Sequence, residues 1–203
     1  MVEFFFKTFI FYFIVIDPIG STPIFLVVTE HLKVKEKVRT ALQGTFIATL
    51  ILLFFGLLGN SILAYLNISF PAFTIAGGII LFIISVEMLF DKRHQRKEEN
   101  INFTSEKLSI FPLATPLLAG PAAITSVIVS VSATGNDLAK QAIGLSALIA
   151  ATLTTFIILF IAAKSEKIIN KRIISVFSRI VAIVLAGLSI QYILDGIKAF
   201  INL

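Results

Sequence analysis

The sequence lacks several residue types on which soluble enzymes depend. It has no cysteine and no tryptophan in 203 residues, and the absence of cysteine excludes disulfides, thiolate metal sites and a thiol nucleophile. Its two histidines lie in charged segments, and their positions do not match metal-ligand spacing. Charged residues make up only 14% of the chain, against roughly 25% in typical globular proteins. We therefore expect no cofactor, no metal and no enzyme active site.

The few charges are also unevenly distributed. Asp, Glu, Lys and Arg are absent from the three runs Thr40–Val86, Leu108–Asn136 and Gln141–Ala163. Because a membrane-spanning helix needs about 20 apolar residues, the first of these runs is long enough for two spans joined by a turn. The pattern predicts an all-α polytopic membrane protein whose six spans lie near residues 4–29, 41–64, 70–90, 108–133, 141–163 and 180–201.

The basic residues predict how these spans are oriented. Of the 17 Lys and Arg residues, all but Lys7, Lys140 and Lys198 fall in the segments that follow spans one, three and five. Cytoplasmic loops are enriched in Lys and Arg, so we expect both termini outside a prokaryotic inner (plasma) membrane. The net charge of +5 is then a sign of topology and not of nucleic-acid binding. The basic segment Lys164–Arg179 forms either an amphipathic helix against anionic membrane lipids or an ordinary loop.

Spans one and four are each interrupted by proline and glycine. The interruptions are Asp17–Pro23 in span one and Phe111–Ala123 in span four. A proline inside a helix removes a hydrogen bond and costs about 3 kcal/mol, and each unsatisfied backbone group in hydrocarbon costs several more. Such breaks persist only where protein or a water-filled cavity surrounds them, so both are predicted to lie inside the protein near mid-membrane.

The chain is expected to resume as a helix after each break. In span one, Thr22 can cap a helix that begins at Pro23. In span four, Gly120 can precede a helix that begins at Pro121. Each new helix then directs free N–H groups and its positive dipole end toward the middle of the membrane, which favours an anion such as a carboxylate.

The paired breaks predict an internal repeat within one membrane domain, 1–203. The first repeat is 1–90, a charged cytoplasmic loop covers 91–107, and the second repeat is 108–203. Because each repeat holds an odd number of spans, the second must be inverted in the membrane. Secondary transporters use inverted repeats with paired discontinuous helices to build a site at the midplane.

Two sequence pairs relate the predicted repeats. The Asp17–Pro18 and Gly120–Pro121 pairs are 103 residues apart, and the Ala76–Gly77 and Ala186–Gly187 pairs are 110 residues apart. The two separations differ by only the length of a short loop.

The candidate substrate-binding residues lie at the breaks and immediately after them. They are Asp17, Pro18, Gly20, Ser21, Thr22, Pro23, Gly120, Pro121, Ala122, Ala123, Thr125 and Ser126. A charge at the position of Asp17 costs at least about 2.5 kcal/mol. Asp17 can carry a proton, hold a substrate ammonium or cap the next helix. The hydroxyls either bind substrate or hold helices together.

Two further polar residues share a face of span six. Gln191 and Asp195 are four residues apart, and together with Asp17 they are the candidates for ion coupling. Alternatively, Asp195 pairs with Lys198 near the outer surface.

At these positions the sequence resembles the MarC family of bacterial and archaeal inner-membrane proteins. The resemblance rests on the segments 17–20 (DPIG) with Pro23 and Phe25, 111–121 (FPLATPLLAGP) with Ile124, and 76–78 (AGG), and it covers essentially the whole chain. One departure is Ala122, where the family motif usually has a second glycine after Gly-Pro. The extra methyl group is expected either to narrow the site or to stiffen the restart of the helix, and so to affect the size of the substrate.

The resemblance implies a function, because some family members are similar to transporters of small neutral amino acids such as glycine and alanine. We therefore expect a secondary transporter of a small neutral amino acid or similar zwitterion, coupled to H⁺ or Na⁺. The alternatives are a passive channel or exporter pore, an intramembrane enzyme or lipid-handling protein that uses Asp17 and Asp195, and a scaffold or partner protein without transport of its own. A homo-oligomer is compatible with each of these.

Overall fold

A computed structural model of the protein describes residues 1–90, 109–135, 137–165 and 171–201. The predicted cytoplasmic loop 91–107 lies outside these residues. All regular structure in the described ranges is helical. In chain order the helices are α1 (Val2–Ile16), α2 (Pro18–Val28), α3 (Val34–Tyr65), α4 (Phe70–Leu89), a π-helix (Ser109–Leu118), α5 (Pro121–Ser132), α6 (Leu138–Lys164) and α7 (Lys171–Ile201).

Five helical segments of the described chain are long and apolar enough to cross a membrane. They are Val2–Val28, Val34–Tyr65, Phe70–Leu89, Leu138–Lys164 and Val176–Ile201. The first of them consists of α1 and α2, which follow each other with a single residue between them. The fourth predicted span is instead divided into the π-helix and the short apolar helix α5, neither of which can cross a bilayer alone.

Helix α7 begins at Lys171 rather than near residue 180, where the sixth span was predicted to start. Residues 171–179 are therefore helical and continuous with that span. This part of the basic segment Lys164–Arg179 is neither a loop nor a separate surface helix.

The outer faces of the helices are apolar. On α3, for example, Phe46, Leu50 and Phe54 recur every four residues and are 60%, 51% and 50% exposed. Soluble monomers rarely expose apolar stripes of this size. Lipid chains cover such a surface in a bilayer, so the exposed stripes indicate helices that face the membrane.

Helices α4 and α7 make the most extensive helix contact, and they run antiparallel. Gly78 of α4 lies against Ser189 of α7, and Gly196 of α7 lies against Pro71 of α4. A Cβ atom added at Gly78 would lie 2.8 Å from the Ser189 carbonyl oxygen. The two backbones approach this closely because neither glycine carries a side chain.

The two discontinuous segments pack in equivalent ways around α3 and α6. Helices α1 and α2 pack against α6, the π-helix and α5 pack against α3, and α3 and α6 contact each other. The contact of α4 with α5 likewise corresponds to the contact of α1 and α2 with α7. Each element of the first half therefore has a counterpart in the second half with matching neighbours.

Buried positions recur at constant separations in the two halves. On α3, the buried residues 41, 44, 45, 48, 52, 56 and 59 each have a buried counterpart 103 residues later, on α6. On α4, the buried residues 74, 77, 78, 81 and 85 each have one 104 residues later, on α7. The separation of 110 expected from the two Ala-Gly pairs is therefore wrong for these helices. Gly187 is exposed on α7, whereas Gly77 is buried on α4.

Candidate functional site

The first break is a single residue, Asp17, which ends α1 and begins α2. Its backbone is left-handed, with φ 50° and ψ 62°, a conformation that few residues other than glycine adopt. Pro18 then occupies the first helical position, where its missing N–H costs nothing. The expectation that the helix resumes at Pro23 under a Thr22 cap is wrong, since Pro23 lies inside α2. The Thr22 hydroxyl instead donates to the carbonyl oxygen of Pro18 at 2.8 Å.

The side chain of Asp17 caps α2. Its Oδ1 accepts a hydrogen bond from the backbone N–H of Gly20 at 3.0 Å, and its carbonyl oxygen accepts one from the N–H of Ser21 at 3.0 Å. A Cβ atom on Gly20 would overlap the Asp17 carboxylate. The capping role that the sequence left open is therefore observed. The negative carboxylate is already at the positive end of α2, so that end is not free for a second anion.

The second break, at Ala119 and Gly120, has no such cap. The π-helix ends at Leu118, and the N–H of Ala119 donates to the carbonyl of Ala114 at 2.8 Å. Helix α5 begins at Pro121 after Gly120, as predicted, and no side chain caps its first turn. Within the described residues, the start of α5 therefore has no side-chain cap bond, in contrast to that of α2.

The two broken segments pack against each other in the bundle. Helix α1 packs against α5, and α2 packs against the π-helix. The side chain of Ser130 on α5 faces the hydroxyl of Tyr12 on α1, and Ala133 and Thr8 line one cavity nearer the ends of these helices. The two segments are therefore antiparallel.

The helices that follow the two breaks also start alike. The Thr125 hydroxyl donates to the carbonyl of Pro121 at 2.9 Å, as the Thr22 hydroxyl does to that of Pro18. Both bonds run from a threonine to the proline at the first helical position.

Most of the twelve candidate residues are buried. Pro121 is exposed and Pro23 is partly buried. The buried candidates are Asp17, Pro18, Gly20, Ser21, Thr22, Gly120, Ala122, Ala123, Thr125 and Ser126.

Two buried serine hydroxyls beside the breaks have no hydrogen-bond partner. Ser21 is 1% exposed and Ser126 is 0% exposed, and neither hydroxyl is bonded within the described residues. Leaving a buried polar group unsatisfied costs about 1–3 kcal/mol. The hydroxyls of Thr22 and Thr125, in contrast, are bonded to their own helices. The Ser21 and Ser126 hydroxyls are therefore the ones available to a bound solute or water.

A cavity of about 570 Å³ lies at the end of the bundle where α1 begins and α5 ends. We call this cavity the vestibule. Its walls are mainly apolar and include Phe4, Phe11, Pro71, Val129 and Leu188. None of the twelve candidate residues lines it.

Charged residues at the vestibule are paired with neighbours. The Lys7 ammonium lies 2.7 Å from Glu3, and that of Lys140 lies 3.1 Å from Asp137. The backbone N–H and the ammonium of Lys140 hold the pKa of Asp137 below its usual range. Lys7 and Lys140 belong to the end of the molecule that is poor in basic residues.

The coupling candidates on α7 lie at the vestibule and not at the breaks. The Nε2 of Gln191 donates to Oδ1 of Asp195 at 2.8 Å, so the two residues share a face as predicted. Asp195 lines the vestibule, and its partner is Gln191 rather than Lys198. The described structure does not bring Asp195 and Asp17 together, and a coupling role for Asp195 and Gln191 stays a prediction.

One residue that the sequence did not single out is Tyr12. It is 1% exposed, and its hydroxyl, which faces Ser130, makes no well-formed hydrogen bond within the described chain. The sequence signal was the spacing of four residues between Ser126, Ser130 and Thr134, which places Ser126 and Ser130 on one face of α5 and Thr134 in the turn just past its end. That face leads from the break to the vestibule.

Comparison with known proteins gives a family. Residues 2–201 match the model of the family described as MarC family integral membrane protein. The chain is 35% identical over 200 residues to a UPF0056 membrane protein of Archaeoglobus fulgidus, covering 96% of this chain and 92% of that protein. It is 32% identical over 199 residues to one of Methanocaldococcus jannaschii, covering 97% of each. It is also 30% identical over 188 residues to one of Buchnera aphidicola, covering 92% of each.

No solved structure matches the chain. The family match, which extends over nearly all residues, agrees with the resemblance noted at the two breaks. The chain belongs to the MarC family of integral membrane proteins.

Proposed function

We propose that the protein is a secondary transporter of a small neutral amino acid or similar zwitterion, and that the two breaks form its binding site. The observation that carries the proposal is the difference between the starts of the two helices that follow the breaks. Helix α5 starts without a side-chain cap, while α2 starts beneath the Asp17 carboxylate. One break therefore suits an anion and the other suits a cation.

A zwitterion fits this pair of breaks. Its carboxylate would bind at the first turn of α5, where N–H groups and the helix dipole favour negative charge. Its ammonium would lie near the Asp17 carboxylate. This arrangement differs from one in which both helix ends hold the carboxylate, because the positive end of α2 already has its anion.

The residues around the breaks favour a small solute. Gly120 and Ala122 lie at the start of α5, and neither carries more than a methyl group as its side chain. The unpartnered hydroxyls of Ser21 and Ser126 supply polar contacts. Walls of glycine and alanine leave room for the backbone of an amino acid with a short side chain, such as glycine or alanine.

The transport mechanism would use two inverted repeats of three spans, with the π-helix and α5 together as the fourth span. The equivalent packing of the halves supports this arrangement, as do the buried faces that recur at separations of 103 and 104 residues. Alternating access would then rock one repeat against the other. With an even number of spans and the basic segments inside, both termini face the outside of the inner membrane.

Uptake into proteoliposomes tests the proposal. Labelled glycine and alanine would be measured with a pH gradient, with a Na⁺ gradient and with neither. We expect saturable uptake that one of the gradients drives to concentrations above those outside, with H⁺ or Na⁺ as the coupling ion. Flux that neither saturates nor concentrates solute would favour the channel or exporter pore. Absence of flux under every gradient would favour a scaffold or partner role.

A further inference from the structure

The vestibule ends close to the binding site proposed above. On α1 its lining residues include Phe4, Thr8 and Phe11, and the next residue on the same helical face is Tyr12, four positions beyond Thr8. Five residues, or about 7.5 Å of helix, separate Tyr12 from Asp17. The ring of Tyr12 therefore lies between the vestibule and the first break.

A row of hydroxyls runs along α5 in the same direction. Ser130 on α5 and Thr134, in the turn just past the end of that helix, line the vestibule. Ser126 follows one turn further into α5, buried and without a hydrogen-bond partner among the described residues. Residues four apart on a helix lie one above the other. Thr134, Ser130 and Ser126 thus form a polar row from the open vestibule to the first turns of α5.

Tyr12 interrupts this row. Its hydroxyl faces Ser130, and its side chain is 1% exposed in the core. Ser130 is partly buried at the vestibule floor, while Ser126 is completely buried. The boundary between accessible and inaccessible hydroxyls on α5 therefore falls at the level of the Tyr12 ring.

The phenolic group has the chemistry of a gate. The apolar ring is buried in the core, and the hydroxyl, which makes no well-formed hydrogen bond within the described residues, can change partners at little cost. A solute that descends the row would meet the Tyr12 hydroxyl at Ser130 and displace the ring to reach Ser126.

We infer that Tyr12 is the gate between the vestibule and the site at the two breaks. The vestibule is then the entrance from the side that is poor in basic residues, and Ser130 and Ser126 are successive polar contacts for the entering solute. The inference rests on the proposed function for the identity of the solute, but the position of the gate can be tested without transport.

The absence of cysteine makes the chain suitable for thiol labelling. Ser126→Cys would be introduced as the only thiol, reconstituted in proteoliposomes of known orientation and treated from each side with a charged, membrane-impermeant methanethiosulfonate reagent. The rate of modification would be compared with Tyr12 intact, with Tyr12→Ala and with Tyr12→Phe. A parallel Thr134→Cys series would measure access to the vestibule itself.

We expect Thr134→Cys to react from one side at the same rate in all three backgrounds. Modification of Ser126→Cys should be slow when position 12 is Tyr or carries Tyr12→Phe. In the Tyr12→Ala background it should be at least tenfold faster, and the reagent should act from the same side as for Thr134→Cys. Phe4→Ala is the matched control, because Phe4 also lines the vestibule but lies about two helical turns before Tyr12. That variant should leave the Ser126→Cys rate unchanged.

Either of two results would contradict the inference that Tyr12 is the gate. One is rapid modification of Ser126→Cys with Tyr12 intact. The other is no acceleration in Tyr12→Ala while Thr134→Cys still reacts. If Tyr12→Ala does not yield a monodisperse protein, Tyr12→Leu removes the ring while keeping an apolar side chain, and the same comparison applies. If labelling is as expected but no amino acid uptake is found, the assignment of Tyr12 as the gate is supported and the proposed substrate is rejected.

Discussion

The carboxylate of Asp17 accepts a hydrogen bond from the backbone N–H of Gly20 at 3.0 Å, at the point where the first membrane span is broken. The two residues depend on each other. Asp17 turns the chain with a left-handed backbone, and Gly20 leaves the space that the carboxylate occupies. This pair makes the first break negative, whereas the second break has no side-chain cap.

Gly20→Ala is predicted to destabilise the protein. The new methyl group would overlap the Asp17 carboxylate and displace it from the first turn of α2. Losing a buried hydrogen bond to a charged group costs about 1–3 kcal/mol, so thermal unfolding in detergent should occur at a lower temperature. Gly187→Ala is the control, because nothing lies within 4 Å of a Cβ atom at that position. Equal unfolding temperatures for the two variants would contradict the capped geometry.

Two replacements of Asp17 should distinguish the contribution of its capping hydrogen bond from that of its charge. Asn tolerates the left-handed backbone, and its side-chain oxygen can accept the same bond from Gly20. Asp17→Asn is therefore expected to unfold close to the wild-type temperature. Asp17→Ala removes the cap and should cost about 0.5–2 kcal/mol. Unfolding of Asp17→Asn at a temperature as low as that of Asp17→Ala would mean that the charge itself holds the break together.

The sequence predicts the membrane class, the two breaks and the restart at Pro121, because apolar runs, proline and glycine have local physical consequences. It does not distinguish Pro18 from Pro23 as the start of α2, since both lack an N–H. The choice depends on the Asp17 side chain reaching Gly20, a geometry that composition does not reveal.

Two other features depend on packing between helices. The equivalence of α4 and α7 at a separation of 104 residues is a property of their buried faces, whereas the repeated Ala-Gly pair suggested 110. The position of Tyr12 below the vestibule depends on how α1 meets α5, which no spacing within α1 indicates.

Ser126→Ala should weaken solute binding without weakening the fold. The Ser126 hydroxyl is buried and unpartnered, so its removal leaves the unfolding temperature unchanged or raises it. If it bonds to the solute, its loss costs about 1 kcal/mol, or about fivefold in affinity. Ser146→Ala serves as the control, since Ser146 is exposed and bonded to its own helix. A lower unfolding temperature with unchanged binding would assign Ser126 to packing instead.

Ala122→Gly should broaden substrate choice. Ala122 is 5% exposed at the start of α5, and removing its methyl group enlarges the space at the second break. A methyl-sized difference in a pocket alters discrimination by about 1–3 kcal/mol. Uptake of amino acids with longer side chains should therefore rise relative to glycine. Ala142→Gly, at an exposed position on α6, should leave this ratio unchanged. An unchanged ratio in Ala122→Gly would place the solute's side chain elsewhere.

The proposed site binds a carboxylate at one break and an ammonium at the other. Equilibrium binding of labelled glycine to the purified protein tests this claim most directly. The account predicts saturable binding that excess acetate or methylamine displaces poorly, because each carries only one of the two charges. It also predicts at least a tenfold loss of affinity in Asp17→Asn, which keeps the cap but lacks the charge. Absence of saturable binding to the folded wild-type protein, or equal affinity in wild type and Asp17→Asn, would contradict it.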